Sequence, residues 1–387
     1  MCCGLFLAVP AAVTAFVAGY FCPRYEALLY GAGQLLQQGA GALGPLAQPL
    51  VYAASRLGWI GALAALATAS AALSAIALYG LLSADADLGL LLRGKHKPDA
   101  FRGRVIWVTG ASQGIGEALA KYLAAQGARL ILSSRSADRL RLVQEACANP
   151  ASVVVLPFDL LGPEGELQAA AQAADAAFGG AGLDFLIHNA GASQHALASE
   201  TTSEVAQQLL DINALAPIRL TQAVLPYMLK RRKGRLVVTA SMAAKVPSPG
   251  QAVYSAAKMA VWGYFGSLAT EVADKGIGVS VICPGPVGSA SDAPRTLFGP
   301  KGRISRLEQQ DRRRMAPARA VQLMANAMAA GVEEAWLAKQ PVLTMAYLMQ
   351  YLPLLGWMLL KKIGPARARA LDSGKSGYDV SSMLREQ

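Results

Sequence analysis

Apolar and charged positions are spread unevenly along the 387 residues of this chain. Neither Met1 to Pro23 nor Leu57 to Ala84 contains a single Asp, Glu, Lys or Arg. A bilayer span needs about 20 mostly apolar residues, so 57–84 is predicted to cross a membrane. Its Ala, Gly and Ser dilute the hydrophobicity but suit close helix packing; a buried or interfacial helix is the other reading. Segment 1–23 lacks the basic start of a signal peptide and is left open among a second span, an interfacial anchor and a targeting piece. From Phe101 the pattern changes. Short, nearly continuous apolar runs recur at Val105–Val108, Leu130–Ser133, Val153–Phe158, Leu183–His188, Leu236–Thr239 and Val279–Cys283, with a seventh at Ala335–Leu337. Strands covered on both faces read this way. Helical patterns lie between them, among them an alanine-rich helix over Leu167–Phe178. The prediction is an α/β fold, a Rossmann-type doubly wound parallel sheet of about seven strands. It carries an N-terminal transmembrane extension and a C-terminal apolar tail.

Two segments break the alternation. Ser289–Met315 is polar and basic and follows the sixth run, so it falls at the carboxyl ends of the strands, where ligands bind in such folds; 289–315 is assigned as a substrate lid. Pro341–Leu360 is apolar and ends at Lys361 and Lys362. Gln350 and Pro353 interrupt it, which favours a pair of helices on a membrane surface over a span, with a hydrophobic oligomer contact as the alternative. The domain reading is therefore 1–98 as a membrane-anchoring region, 99–340 as the catalytic domain and 341–387 as a membrane-associating or oligomer-contact tail.

Composition supports a membrane contribution, because 53% of residues are hydrophobic and only 16% charged. Arg93, Lys95, Lys97, Arg102 and Arg104 follow the predicted span while only Arg56 closely precedes it, which leaves the catalytic domain in the cytosol. The net charge of +11 also draws on Lys230–Lys233 and Arg312–Arg314. No aromatic-interleaved basic patch or helix-turn-helix accompanies it, so the charge is read as facing anionic lipid or solvent, not nucleic acid. Cys2 and Cys3 are read as reduced apolar residues, with acylation as the alternative. Cys147 ends a helix and Cys283 an apolar strand, and both are read as reduced core thiols. His96, His188 and His195 have no zinc-ligand spacing, so no metal is expected, and His188 is read as a strand-end residue.

The candidate chemistry lies in two places. Thr109-Gly110-Ala111-Ser112-Gln113-Gly114-Ile115-Gly116 follows a strand and opens a helix. Glycines there let the backbone approach a pyrophosphate, and the helix N-terminus offers unpaired N–H groups. The next strand ends in Ser134-Arg135-Ser136, where an NAD site usually places an acid; the nearest acid, Asp138, lies within the following helix. A guanidinium with hydroxyl neighbours suits a 2′-phosphate, so the cofactor is predicted to be NADP(H). Downstream, a strand ends at Ser241, and a Pro/Gly-rich loop leads to a helix bearing Tyr254 and Lys258. Four residues apart, these two share one helix face. A lysine beside a tyrosine favours the phenolate, and the serine hydroxyl can bond a carbonyl oxygen.

These motifs resemble those of the short-chain dehydrogenase/reductase family over roughly Phe101 to Ala338. The resemblance implies further site residues. The acid after the third strand matches Asp159, followed by Leu160. The family's N-A-G matches Asn189, Ala190 and Gly191, and its helix asparagine matches Asn213. The loop that grips the nicotinamide carboxamide matches Pro284, Gly285, Pro286, Val287, Gly288 and Ser289, with serine in place of threonine. Asn213, Ser241, Tyr254 and Lys258 are then the catalytic set. The cofactor would be held by Gly110, Ser112, Gln113, Gly114, Ile115, Gly116, Arg135, Asp159, Leu160, Asn189, Ala190, Gly191, Tyr254, Lys258, Pro284, Gly285, Val287 and Ser289. Three further positions depart from common family patterns: Gln113 stands where many NADP-preferring relatives carry Lys or Arg, and Ala240 and Ala244 replace a serine and a glycine.

The apolar amino end and the tail after Glu333 are similar to those of the membrane-bound branch that includes dehydrogenase/reductase member seven. That branch implies an endoplasmic-reticulum membrane location and reduction of carbonyls on retinoids, steroids and similar lipophiles. In the implied reaction Ser241 holds the carbonyl oxygen, Tyr254 acts as general acid, Lys258 holds the nicotinamide ribose, and Asn213 orients a water in the proton relay. The expected partners are a small lipophilic carbonyl or alcohol substrate and membrane lipid. A homodimer through the helices beginning near Thr202 and Tyr254 is implied by relatives. Competing readings are a 3-keto sphingoid-base reductase, an NAD-linked alcohol oxidase, and a non-catalytic dinucleotide-binding sensor.

Overall fold

The computed structural model describes residues 67–75, 79–80, 83–288, 295–306 and 314–372. Segment 1–23, most of 57–84, Ser289 with much of 289–315, and the end of 341–387 lie outside them. The chain divides into two compact units, Met1–Gly80 and Leu81–Gln387, and every element named below belongs to the second.

That unit opens with a short helix, α1 (Leu88–Arg93). There follow β1 (Val105–Thr109), α2 (Gly114–Ala125), β2 (Arg129–Ser133), α3 (Ala137–Glu145), β3 (Val153–Val155) and α4 (Glu164–Gly180). The second half continues with β4 (Phe185–His188), α5 (Ser203–Leu210), α6 (Ala216–Arg231), β5 (Gly234–Thr239), α7 (Ala252–Glu271) and β6 (Ile277–Pro284). A hairpin, β7 (Arg295–Gly299) and β8 (Gly302–Arg306), precedes α8 (Pro317–Ala330), β9 (Glu334–Leu337), α9 (Val342–Tyr351) and α10 (Pro353–Asp372). The seven expected strands form one parallel sheet in the order β3-β2-β1-β4-β5-β6-β9. The order reverses at β1, whose Ile106 faces Leu130 of β2 on one side and Phe185 of β4 on the other.

The alternation of side chains along each strand builds two cores. Ile106, Val108, Leu130 and Leu132 pack with Leu119 and Leu123 of α2 and Met324 and Met328 of α8. Val105, Trp107, Leu186 and Val238 point to the other face, against Leu167 of α4, Leu220 and Val224 of α6 and Phe265 of α7. All five residues of β1 are buried, which is why its sequence shows no polar interruption.

The elements depart from expectation in three places. Strand β3 ends at Val155, short of Phe158, because Pro157 has no N–H to give to the ladder. The Leu156 and Phe158 amides still bond to Leu132 O (3.0 Å) and Ser134 O (3.2 Å). Helix α4 runs beyond 167–178 at both ends and kinks near its carboxyl end, where Phe178 adopts φ +54°. The third is in the lid, whose described part contains the antiparallel hairpin. Its tip docks on the loop after β4: Phe298 N donates to Ser193 O (2.8 Å) and His195 N to Phe298 O (2.7 Å). The fully buried Phe298 ring packs on Val205 and Leu209 of α5.

The segment before the sheet is fastened down. Arg319 forks onto Asp85 at 2.8 and 3.0 Å, while the Asp87 carboxylate accepts from the amides of Leu90 and Trp336, each at 2.8 Å. At the other end of the chain, α9 buries Leu343 and Ala346 in the core. Among the described residues no helix is long and apolar enough to cross a membrane.

Candidate active site

One cleft of about 1590 Å³ runs along the carboxyl ends of the strands. Its floor is set by the two ends that flank the reversal of strand order. Thr109, closing β1, accepts at Oγ1 from the amides of Asn189 (3.1 Å) and Ala190 (3.3 Å). Asn189 returns its side-chain amide to Thr109 O (3.3 Å) and Gly110 O (3.4 Å). The glycine turn and the Asn-Ala-Gly turn are thereby locked together. Gly110 has φ +64°, and a Cβ there would meet Ala190 Cα at 2.7 Å. Gly114 also has a positive φ, but nothing lies within 4 Å of its missing side chain, so the α2 N-terminus is open to a ligand.

Of the residues expected to hold a dinucleotide, all line this cleft except Gly116 and Ser289. Ser289 is outside the described residues. Gly116 sits behind the turn, where a Cβ would be 2.2 Å from Gly110 O and 2.5 Å from Asn189 Nδ2, so its part is to let α2 pack on the turn. At the adenosine end the cleft is lined by Ser134, Arg135 and also Arg139, a residue the sequence reading passed over. Ser136 caps α3 by accepting from Arg139 N (3.4 Å). Asp138 is bound to Arg141 on the exposed side and does not line the cleft. The Ser134 hydroxyl is buried with no hydrogen-bond partner among the described residues. An orphan donor beside two guanidinium groups suits a phosphate-bearing ribose. The residues present fit NADP(H).

At the other end Asn213, Ser241, Tyr254 and Lys258 line the same cleft. Lys258 is 5% exposed, donates to Thr239 O (2.8 Å) and lies 5.8 Å from the centre of the Tyr254 ring. Burial pushes its ammonium down to about 8. Ser241 ends the β5 connection and caps a single turn, Met242–Ala244, by accepting from Ala243 N (3.1 Å). That turn is pinned from beneath by Lys245, which pairs with Glu334 of β9 at 2.7 Å and lies 4.1 Å from the centre of the Trp262 ring. Burial would lift the Glu334 carboxyl, but hydrogen bonds from Lys245, Trp336 and Trp262 hold it below the usual carboxylate range. Neighbouring Cys283 is buried, unbridged and pushed up to about 12, again by burial.

Asn213 lies in a π-turn, Asp211–Leu215, between α5 and α6. Its side chain accepts from Ala192 N (3.1 Å) and donates to Ala192 O (2.9 Å) and Leu209 O (3.0 Å). Both amide hydrogens and one oxygen lone pair thus bind backbone, and the side chain shapes the loop after Gly191. Pro217, four residues on, has no N–H to donate to the Asn213 carbonyl in the α-helical manner.

A second residue missed from sequence is Gln194. It is 2% exposed, and its Oε1 accepts from the amides of Val253 (3.0 Å) and Tyr254 (3.1 Å), capping the helix that carries the phenol. Its Nε2 donates to Thr201 Oγ1 at 2.9 Å. The same residue bridges to Phe298 of the hairpin. His188 faces inward, its Nε2 2.8 Å from the Thr221 hydroxyl, and burial pushes its imidazole down to about 3.

The far wall of the cleft comes from the tail. Met345 of α9 and Trp357, Leu360, Lys361, Ile363 and Arg367 of α10 line it, where α10 packs beside the loop around Pro249. The arrangement can bind an extended anionic ligand at one end and an apolar molecule at the other, with a hydroxyl, a phenol and an ammonium where they meet.

Comparison with known proteins agrees with this arrangement. The family model described as short chain dehydrogenase matches residues 104–297. The chain is 36% identical over 316 residues to "Dehydrogenase/reductase SDR family member 7" of Homo sapiens, covering 79% of this chain and 91% of that one. It is 34% identical over 186 residues to the 3-oxoacyl-acyl-carrier-protein reductase of Escherichia coli, covering 48% of this chain and 74% of the relative. A solved short-chain dehydrogenase from Streptomyces avermitilis superposes with a TM-score of 0.57 at 25% identity, over 67% of this chain and 98% of that one.

Proposed function

This chain belongs to the short-chain dehydrogenase/reductase family, and on that premise we propose a membrane-bound, NADP(H)-linked carbonyl reductase and alcohol dehydrogenase for lipophilic substrates. As a family member it is an oxidoreductase acting on CH–OH and C=O groups. The finer reading rests on one observation: the serine, tyrosine and lysine share a cleft whose tail wall presents Met345, Trp357, Leu360 and Ile363, with Lys361 and Arg367 among them. At about 1590 Å³ the cleft exceeds the roughly 300–1,000 Å³ that holds one drug-sized ligand. It has room for a dinucleotide and a second molecule.

NADPH, when bound, supplies the hydride that reduces the carbonyl carbon. Gly110, Gly114 and the α2 N-terminus would hold its pyrophosphate, and Ser134, Arg135 and Arg139 its 2′-phosphate. Ser241 donates a hydrogen bond to the substrate oxygen, and Tyr254 hands that oxygen its proton. Lys258, held by Thr239 O and buried beside the phenol, favours the phenolate and binds ribose hydroxyls. Asn213 fixes the Ala192 backbone, which lines the part of the cleft where the cofactor would be held. Anchoring falls to 57–84, with the catalytic domain on the cytosolic side of the endoplasmic-reticulum membrane.

Retinals, ketosteroids and related ketones or aldehydes are the proposed substrates. A 3-keto lipid is a second reading, favoured by the likeness to a 3-oxoacyl reductase. NADPH consumption by the detergent-solubilised protein over retinals, ketosteroids and 3-keto lipids tests both readings. Tyr254→Phe should bind NADPH normally yet turn over at least about a hundredfold more slowly. Near-normal turnover by that variant, or a bound cofactor never oxidised by any carbonyl, refutes the assignment.

A further inference from the structure

We propose that the α9–α10 corner seats in a lipid bilayer and that the active-site cleft takes its substrate from the bilayer there. This rests on the lipophilic-carbonyl reading above. The corner carries Tyr351, Leu352, Leu354, Leu355, Trp357 and Met358, all exposed; Leu354 is 78% and Met358 63% accessible. Six large apolar side chains within eight residues form a patch of the kind that marks a lipid or protein contact.

Two further observations decide the occupant. The first is charge. No Asp or Glu occurs between Glu334 and Asp372, while Lys361, Lys362 and Arg369 are exposed along α10. Leu354 to Lys362 spans about two turns, roughly 12 Å along the axis. A helix entering the headgroup boundary by roughly 5–10 Å at its apolar end thus brings its lysines to the anionic headgroups. A second copy of this chain fits poorly, because a two-fold contact through this corner sets the same lysines against each other.

The second observation is continuity with the site. Trp357 belongs to the exposed patch and also lines the cleft that holds Tyr254. One turn further, Leu360, Ile363 and Gly364 face inward, and Gly364 approaches Pro249 of the loop after Ser241. Helix α10 therefore turns Leu354 and Met358 outward and Trp357, Leu360 and Ile363 toward the cleft, which Lys361 and Arg367 also line. The ring of Trp357 stands at the boundary between the two faces. A membrane-dissolved carbonyl compound can pass this edge without crossing water.

The test uses the full chain reconstituted in phosphatidylcholine vesicles, with and without phosphatidylserine. Tryptophan emission is measured with brominated lipids, and Trp357→Phe isolates the contribution of residue 357. Quenching of that contribution is expected in the parent protein and should be lost in Leu354→Asp/Met358→Asp. In Lys362→Glu/Arg369→Glu its strengthening by phosphatidylserine should disappear. Leu354 and Met358 do not line the cleft, so the double Asp variant should keep kcat and KM for a small water-soluble carbonyl. Its KM for a vesicle-dissolved ketone should rise about tenfold or more. An unquenched Trp357, a Trp357 shielded by self-association without lipid, or equal effects on both substrates overturns the proposal. If no carbonyl were turned over, the catalytic reading would fail instead, and the quenching result would still decide the lipid contact.

Discussion

Asn213 offers the sharpest check, because its side chain makes three hydrogen bonds to backbone groups. Asn213→Ala deletes the acceptor for Ala192 N and the donors to Ala192 O and Leu209 O. Asparagine 213 is 1% exposed, so water does not readily replace it. Three hydrogen bonds at about 1 kcal/mol each give a loss of roughly 3 kcal/mol. For a domain of this size that corresponds to a fall in Tm of about 6–12 °C. Asn213→Asp should be worse. It keeps an acceptor for Ala192 N but turns its second oxygen toward two carbonyls and places a charge in a buried site. The expected order of thermal stability at neutral pH is Asn, then Ala, then Asp, read by thermal unfolding in detergent. A Tm for Asn213→Ala within a degree or so of the parent would refute the positioning role, as would an Asp variant as stable as the parent.

The other predictions are more direct. Arg135→Ala combined with Arg139→Ala should reduce the preference for NADPH over NADH by about 10–100-fold, as loss of charged hydrogen bonds to a phosphate does; unchanged cofactor selectivity would remove both residues from the 2′-phosphate site. Lys258 has its folded value lowered from 10.5 to about 8. Between those values the unfolded chain binds more protons than the folded one, so this group's contribution to apo-protein stability rises with pH across that window and is lost as pH falls through 8. The span is on the order of 3 kcal/mol. Relative to Lys258→Met, the parent should gain stability from pH 8 upward while its affinity for NADPH declines; a pH-independent difference between the two proteins would contradict this. Gln194→Ala leaves two amides at the start of α7 without their acceptor and should cost about 1–3 kcal/mol. Gln194→Glu, which keeps the acceptor, should recover much of that stability and of the KM for substrate, and failure of Glu to do better than Ala would argue against capping.

What could be read from the sequence was what is local along the chain. Each strand of the sheet announced itself as an apolar run because parallel strands are covered on both faces. The glycine turn, Tyr254 and Lys258 were legible because their spacing alone fixes their geometry. Gly116 illustrates the limit: spacing identified it as part of the motif but not that its face is turned toward Gly110 O. Pro157 carried a readable warning that the third strand ends early. The hairpin also left a trace, since Gly299-Pro300-Lys301-Gly302 is a turn sequence between short alternating runs. Lys245 with Glu334, Arg139 beside Arg135, and Gln194 under Tyr254 could not be found this way. In each case the pairing depends on how separate elements come together in space, and no feature of either residue's neighbours in sequence signals it.

Gln194 has a consequence for how substrate preference can change. Its side chain caps the helix that carries the proton donor, while the backbone on either side of it holds the substrate-side hairpin, so a rebuilt hairpin can dock on the main chain here without disturbing the cap under Tyr254. Specificity can then drift through the sequence of 295–306 while the chemistry stays fixed. Grafting lids between relatives should succeed where residue 194 retains an acceptor for the helix and fail where it does not.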